Sequence, residues 1–226
     1  MGKGAFHLNQ SRIHNRWPIA KEGLPFVLAG CGIILLFIFL GLAVPALFFC
    51  LITLFVLFFF RDPKRNSDLG AKAVLSPADG RILEVKQIPA EAHPLGQSGT
   101  KVSIFMSLFN VHVNRVPAKG MVREIQYRPG KFFAANLNKA SEYNEQNRIT
   151  LETPDSRKLV FVQIAGVIAR RIACWIKEGD AVEAGQRFGL IRFGSRLEVF
   201  FPPDSNIVIK EGERVKAGKT ALGHLF

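Results

Sequence analysis

The bond between Gly194 and Ser195, in the tetrapeptide Phe193-Gly194-Ser195-Arg196 near the C-terminus, sets an unshielded carbonyl beside a hydroxyl. Glycine has no side chain to cover its carbonyl, so a turn that strains this peptide lets the Ser195 oxygen attack it. The product is an ester and the chain is not yet cut. Loss of the serine α-proton then expels the upstream piece and leaves dehydroalanine, which hydrolyses to a pyruvoyl group on a new N-terminus. Taken alone the dipeptide favours a plainer role, because Gly and Ser are also the ordinary residues of a hairpin turn. Strand-like runs flank it, Phe188-Gly189-Leu190-Ile191-Arg192 before and Leu197-Glu198-Val199-Phe200-Phe201 after.

Two kinds of element surround this seam. From Leu24 to Phe60 there is no charged side chain, and the run is rich in Phe, Leu and Ile. At about 1.5 Å per residue, a single helix of that length would reach roughly 55 Å, nearly twice a hydrocarbon core of roughly 30 Å. Gly41 and Pro45 interrupt it, so a helical hairpin is expected over residues 24–60, with a basic N-terminus at 1–23. Lys3, Arg12, Arg16 and Lys21 precede the run and Arg61, Lys64 and Arg65 follow it, which places both ends in the cytoplasm. The run is too long for a cleaved signal peptide, and no small-residue cleavage site follows it.

Residues 61–226 are long enough to bury their own core. Of the formal charge of +12, the N-terminal segment holds +3 and this part holds +9. A basic domain beside an apolar anchor is drawn to anionic lipid headgroups; its scattered charges and lack of a recognition motif rank nucleic acid low. Cys31 and Cys50 lie in the apolar run and Cys174 stands alone, so neither a metal site nor a disulfide framework is expected. The period is mostly two, as in Ile82-Leu83-Glu84-Val85 and Leu159-Val160-Phe161-Val162-Gln163-Ile164, which predicts a mainly β domain of the α+β class. The segment from Phe132 to Gln146 has a composition that permits a helix or a partly helical loop.

An internal repeat occupies the C-terminal third. Lys177-Glu178-Gly179-Asp180-Ala181-Val182-Glu183-Ala184-Gly185 recurs as Lys210-Glu211-Gly212-Glu213-Arg214-Val215-Lys216-Ala217-Gly218. The glycine spacing predicts two similar turns with positive φ, in the manner of the half-barrel element of biotinyl and lipoyl carrier domains. Carriers present a lysine between the halves. Here that interval holds the Gly194-Ser195 seam, which disfavours a non-enzymatic membrane-tethered carrier or adaptor, the competing function.

Several motifs occur in one order: Phe60-Arg61-Asp62-Pro63, Ser76-Pro77-Ala78-Asp79-Gly80, Asn110-Val111-His112-Val113-Asn114-Arg115-Val116-Pro117, Asn144-Glu145, and Gly189-Leu190-Ile191-Arg192-Phe193-Gly194-Ser195-Arg196. Together they resemble the short form of phosphatidylserine decarboxylase over nearly the whole chain. The resemblance implies a zymogen that cuts itself into residues 1–194 and 195–226, the two pieces staying together as a heterodimer. It implies a covalent pyruvoyl cofactor made from Ser195, no metal, and a reaction in which the serine headgroup amine condenses with the pyruvoyl ketone before CO2 leaves. The substrate would be phosphatidylserine in the cytoplasmic face of the cell membrane, whether its chains are diacyl or archaeal ether. On this basis His112 is the expected base and Asp79 its orienting carboxylate. Where the longer bacterial form has a second histidine, this chain has Arg115; either His112 serves both self-cleavage and decarboxylation, or Arg115 holds a substrate carboxylate or phosphate. Phe132 and Phe133, beside Lys131, are candidates to cover the acyl region, although a Phe pair is more commonly packed inside.

Overall fold

The computed structural model describes residues 12–66, 69–134, 142–166, 172–192 and 194–226. The apolar run forms two helices, α1 (Leu24–Phe39) and α2 (Ala43–Phe59). Pro25 sits in the first turn of α1, where a missing N–H costs nothing. Gly41 turns the chain between the helices with φ +72°, a conformation that L side chains resist. The helices approach closely where Gly30 faces Thr53, since a Cβ on Gly30 would lie 2.2 Å from the threonine oxygen. Phe37 and Phe49 stack across the pair at 5.5 Å. Most other side chains of the hairpin are exposed, including Leu28, Leu35, Phe39, Val44 and Leu47. With its short 3-10 lead-in, the first helix is long and apolar enough to cross a membrane, and the second is a shorter apolar helix.

The remainder is β structure: β1 (Ala73–Leu75), β2 (Gly80–Ile88), β3 (Gly99–Met106), β4 (Val113–Arg115), β5 (Gly120–Arg128), β6 (Gln146–Glu152), β7 (Lys158–Ala165), β8 (Ile172–Cys174), β9 (Ala181–Val182), β10 (Arg187–Ile191), β11 (Ser195–Phe201), β12 (Asn206–Ile207), β13 (Arg214–Val215) and β14 (Ala221–His224). The main sheet runs β13-β2-β3-β11-β7-β6-β5-β9, and two three-stranded sheets run β4-β10-β8 and β1-β14-β12. Strand β11 is buried on both faces. Leu197, Val199 and Phe201 point into the larger core with Ile104, Phe161 and Phe188, while Phe200 joins Ile88, Val160 and Ile164 on the other side. That alternation is the period of two seen in the sequence. The helix-permissive segment has no regular structure at Phe132–Ala134 and is helical at Glu142 and Tyr143, and Gln146 already begins β6; residues 135–141 lie outside the described residues.

The repeat appears as two equivalent turns. Gly179 and Gly212 both have φ +83°, and each turn leads into a two-residue strand, β9 and β13. The Gly179 amide donates to the Val122 carbonyl at 2.8 Å and the Gly212 amide to the Ile82 carbonyl at 2.9 Å. The partners repeat as well. Val182 pairs with Gly120 at the start of β5 and Val215 with Gly80 at the start of β2. Pro77-Ala78-Asp79-Gly80 and Pro117-Ala118-Lys119-Gly120 are therefore corresponding positions of a twofold pattern, centred in the sheet on β11 and β7.

The seam is not a hairpin turn. Strand β10 pairs with β4 and β8, whereas β11 pairs with β3 and β7. The chain thus leaves one sheet and enters the centre of another across the residues around Gly194.

Candidate active site

Gly194 has φ +58°, in the left-handed region, and a Cβ built there meets nothing within 4 Å. Backbone conformation, not lack of room, is what calls for glycine at this point. Ser195 is the first residue of β11, completely buried, in register with Met106 on one side and Ala165 on the other. Its hydroxyl donates to the Met106 sulfur at 3.4 Å. Phe193 lies outside the described residues.

His112 precedes β4, whose Val113 pairs with Leu190 of β10, so the imidazole stands beside the strand that delivers the seam. A tight turn fixes the approach: the Asn110 side-chain oxygen accepts from the Ser107 amide at 2.8 Å and from its hydroxyl at 2.9 Å. His112 Nδ1 lies 2.9 Å from the Asn110 carbonyl. A carbonyl can only accept, so Nδ1 carries the proton and Nε2 carries the free lone pair. Nε2 is buried with no hydrogen-bond partner among the described residues. The ring packs on Phe59 at a centroid distance of 4.1 Å. Burial pushes the imidazole pKa down from 6.5 to about 4, with the Asn110 carbonyl and the Asp79 charge opposing and the Arg61 charge reinforcing.

Asp79 does not bond His112. Its carboxylate is held by both terminal nitrogens of Arg65, Nη2 at 2.7 Å from Oδ2, and by the Ala217 amide at 2.8 Å. Arg65 also donates to the Ala217 carbonyl at 2.8 Å. Asp79 acts on His112 through its charge, but among the described residues no hydrogen bond joins any two of Ser195, His112 and Asp79, each of which has another partner.

Arg115 is buried and committed elsewhere. It donates to the Gly185 and Pro63 carbonyls, each at 2.9 Å, and lies 3.5 Å from Asp62. Burial, followed by the neighbouring Arg187 charge, lowers its pKa to about 10. Asp62 also takes the Arg187 Nε at 2.7 Å and the Asn15 amide at 3.1 Å, so the Asp of Phe60-Arg61-Asp62-Pro63 ties the hairpin's exit to β10. Phe132 and Phe133 are exposed rather than packed inside. Asn144 fixes their backbone, its amide oxygen accepting from the Phe133 N–H at 2.7 Å and its nitrogen donating to the Phe133 carbonyl at 2.8 Å.

Sequence reasoning missed Arg65, Phe59 and a line of buried amides. Asn147 donates to Gln163 at 2.9 Å, Gln163 donates to Asn114 at 2.8 Å, and Asn114 ends 3.7 Å from the same Met106 sulfur that Ser195 contacts. The signal available for these amides was their polarity inside strands otherwise apolar on that face. Among the described residues, no three His, Cys, Asp or Glu side chains cluster as around a metal ion.

The family model described as phosphatidylserine decarboxylase matches residues 52–223. A phosphatidylserine decarboxylase proenzyme of Syntrophus aciditrophicus is 50% identical over 206 residues, covering 91% of this chain and 96% of that protein. Proteins of the same name from Geotalea daltonii and Pelobacter propionicus are 48% and 46% identical, covering 93% and 92% of this chain and 98% and 97% of their own lengths.

Proposed function

The chain belongs to the phosphatidylserine decarboxylase family, a zymogen of a pyruvoyl-dependent lyase that converts phosphatidylserine to phosphatidylethanolamine and CO2, and we propose that Gly194-Ser195 is its self-cleavage site and His112 its base. One observation carries the assignment of the seam: a positive-φ glycine joins two sheets directly before a buried serine. The carrier or adaptor alternative is not favoured, since the family is enzymatic.

The residues present suit a group made in place. Ser195 Oγ attacks the Gly194 carbonyl carbon, the Gly194-Ser195 C–N bond breaks, and the hydroxyl proton passes by way of His112 Nε2 to the freed Ser195 nitrogen. Removal of the Ser195 α-proton then breaks the Cβ–Oγ bond, Gly194 leaves as a carboxylate, and water replaces the enamine nitrogen, which departs as ammonia. After the cut, β11 remains held by β3 on one side and β7 on the other. The small chain, residues 195–226, therefore stays bound to the large chain, residues 1–194, as a heterodimer.

The pyruvoyl group supplies an electron sink for the carbanion left when CO2 departs. His112, with its lone pair on Nε2, then holds and returns the proton at the substrate α-carbon, so one imidazole serves both stages. Arg115, already bonded to two carbonyls and facing Asp62, orders the linker at Pro63 and does not bind the lipid headgroup.

The anchor (residues 24–60) enters the bilayer as a hairpin from the cytoplasmic face, after the basic segment 1–23 and before the catalytic domain (residues 61–226). Lys131 with exposed Phe132 and Phe133 forms a second, shallower contact with anionic lipid. The twofold pattern of turns supports a biotinyl/lipoyl-like half-barrel for the repeat.

Intact mass and denaturing electrophoresis test the seam. Wild type is expected to release a fragment of 32 residues with a blocked N-terminus, and Ser195→Ala to stay whole. A wild-type chain that remains uncut after mature expression sinks the assignment.

A further inference from the structure

The end of α2 is built into the catalytic domain. Phe59 and Phe60 are about 1% exposed, unlike most of the hairpin. Phe60 stacks on Phe26 at 5.8 Å and meets Phe59 edge-on at 5.0 Å. A Cβ on Gly23 would lie 2.6 Å from the Phe60 ring, so the start of α1 closes over it without space. The Ala20 amide donates to the Phe60 carbonyl and the Asp62 amide to the Pro18 carbonyl, both at 2.7 Å. Trp175 reaches back to Glu22 at 3.1 Å. These contacts fix Phe60 and the chain leaving α2, and the neighbouring Phe59 ring lies against His112 at 4.1 Å.

We propose that Phe59 is a positioning residue for His112, so that docking of the anchor's last turn on the domain, separately from its insertion in lipid, is required for self-processing and turnover. This rests on His112 as the base. The ring covers one face of the imidazole, keeps water from Nε2 and leaves the Asn110 carbonyl to choose the tautomer. The groups facing His112 are the Asn110 carbonyl before it, Arg61 from the chain after α2, and Asp79, itself paired with Arg65, from the turn before β2. Phe59 brings no charge, so its contribution is exclusion of water. The low pKa of the imidazole, about 4 with burial as the first cause, agrees with that.

The test uses the full-length chain. Self-processing is followed by electrophoresis across pH, and turnover is measured on a short-chain phosphatidylserine dissolved as monomers and on long-chain phosphatidylserine in vesicles. Phe59→Ala is expected to slow processing and turnover on the dissolved lipid by about tenfold or more, a part of what a positioned base contributes, and to move the acid limb upward by about one unit as water reaches the ring. Phe59→Leu, which keeps apolar cover, should restore most of the rate and the limb. Phe39→Ser with Val44→Ser, at the exposed far end of the hairpin, should lower turnover in vesicles alone.

An unmoved acid limb in Phe59→Ala overturns the proposal. So does an equal loss on dissolved lipid in the far-end variant. If Phe59→Ala does not fold, Phe59→Val takes its place with the same expected shift and the same overturning result. The base assignment fails separately, if His112→Gln processes and turns over normally.

Discussion

The Ser195 hydroxyl donates to the Met106 sulfur, 3.4 Å away, and not to an imidazole. A thioether is a weak acceptor and cannot take the proton, so in the uncut chain the nucleophile rests on a group that holds it without activating it. Met106→Leu keeps the volume of the buried side chain and removes that acceptor, at a cost below about 1.5 kcal/mol. A neutral hydrogen bond contributes about 1 kcal/mol. Self-processing, timed by electrophoresis, should therefore speed up by a few-fold in this variant. A slowing of tenfold would mean that the sulfur holds the attacking rotamer.

His112 makes stability depend on pH. Its folded pKa is depressed to about 4 from 6.5, so between these values the unfolded chain binds the proton and the native chain does not. Stability is at its full value above pH 6.5, is lost as pH falls toward 4, and changes little further from this group below that. The span corresponds to roughly 3 kcal/mol. Urea midpoints of the Ser195→Ala precursor should fall over this window, and the fall should shrink when His112→Gln is added. Equal slopes with and without the histidine would assign the dependence to other groups.

Asp79 and Arg65 form a buried pair, and breaking one partner leaves a charge without compensation. Asp79→Asn is expected to destabilise the domain by about 3 kcal/mol, measured by denaturant unfolding. Since the Asp79 charge raises the His112 pKa, the same change should shift the acid limb of processing downward. A limb that moves upward would contradict the electrostatic role given to Asp79.

Gly179 and Gly212 occupy equivalent turns with φ +83°. A Cβ at Gly179 meets nothing within 4 Å, and one at Gly212 meets only the Arg81 side chain at 3.5 Å and beyond. The cost of alanine is thus backbone strain, roughly 1–2 kcal/mol at each position. Thermal unfolding should show two nearly equal losses that add in the double variant. A markedly larger loss at one turn would mean that the twofold pattern does not extend to energetics.

Much of this protein was legible as local pattern. The charge-free run from Leu24 to Phe60 already carried its break at Gly41, because glycine takes the positive φ that ends one helix and Pro45 fits only the first turn of the next. The alternation in Leu197–Phe201 announced a strand, and the spacing of Gly179 and Gly212 announced two matched turns. Those features depend on residues within a few positions of one another, where backbone sterics and side-chain period act directly. What Gly194-Ser195 connects was not legible, since a hairpin and a crossover between sheets use the same turn residues. Nor were the partners of the candidate site: Asp79 bonds Arg65 and not His112, and Phe59, read only as part of an apolar helix, covers the imidazole. Local sequence was enough to set the two apolar helices, the strands and the serine at the seam. The tertiary structure alone decided which buried polar groups meet, because desolvation and pairing act between segments that only folding brings within reach.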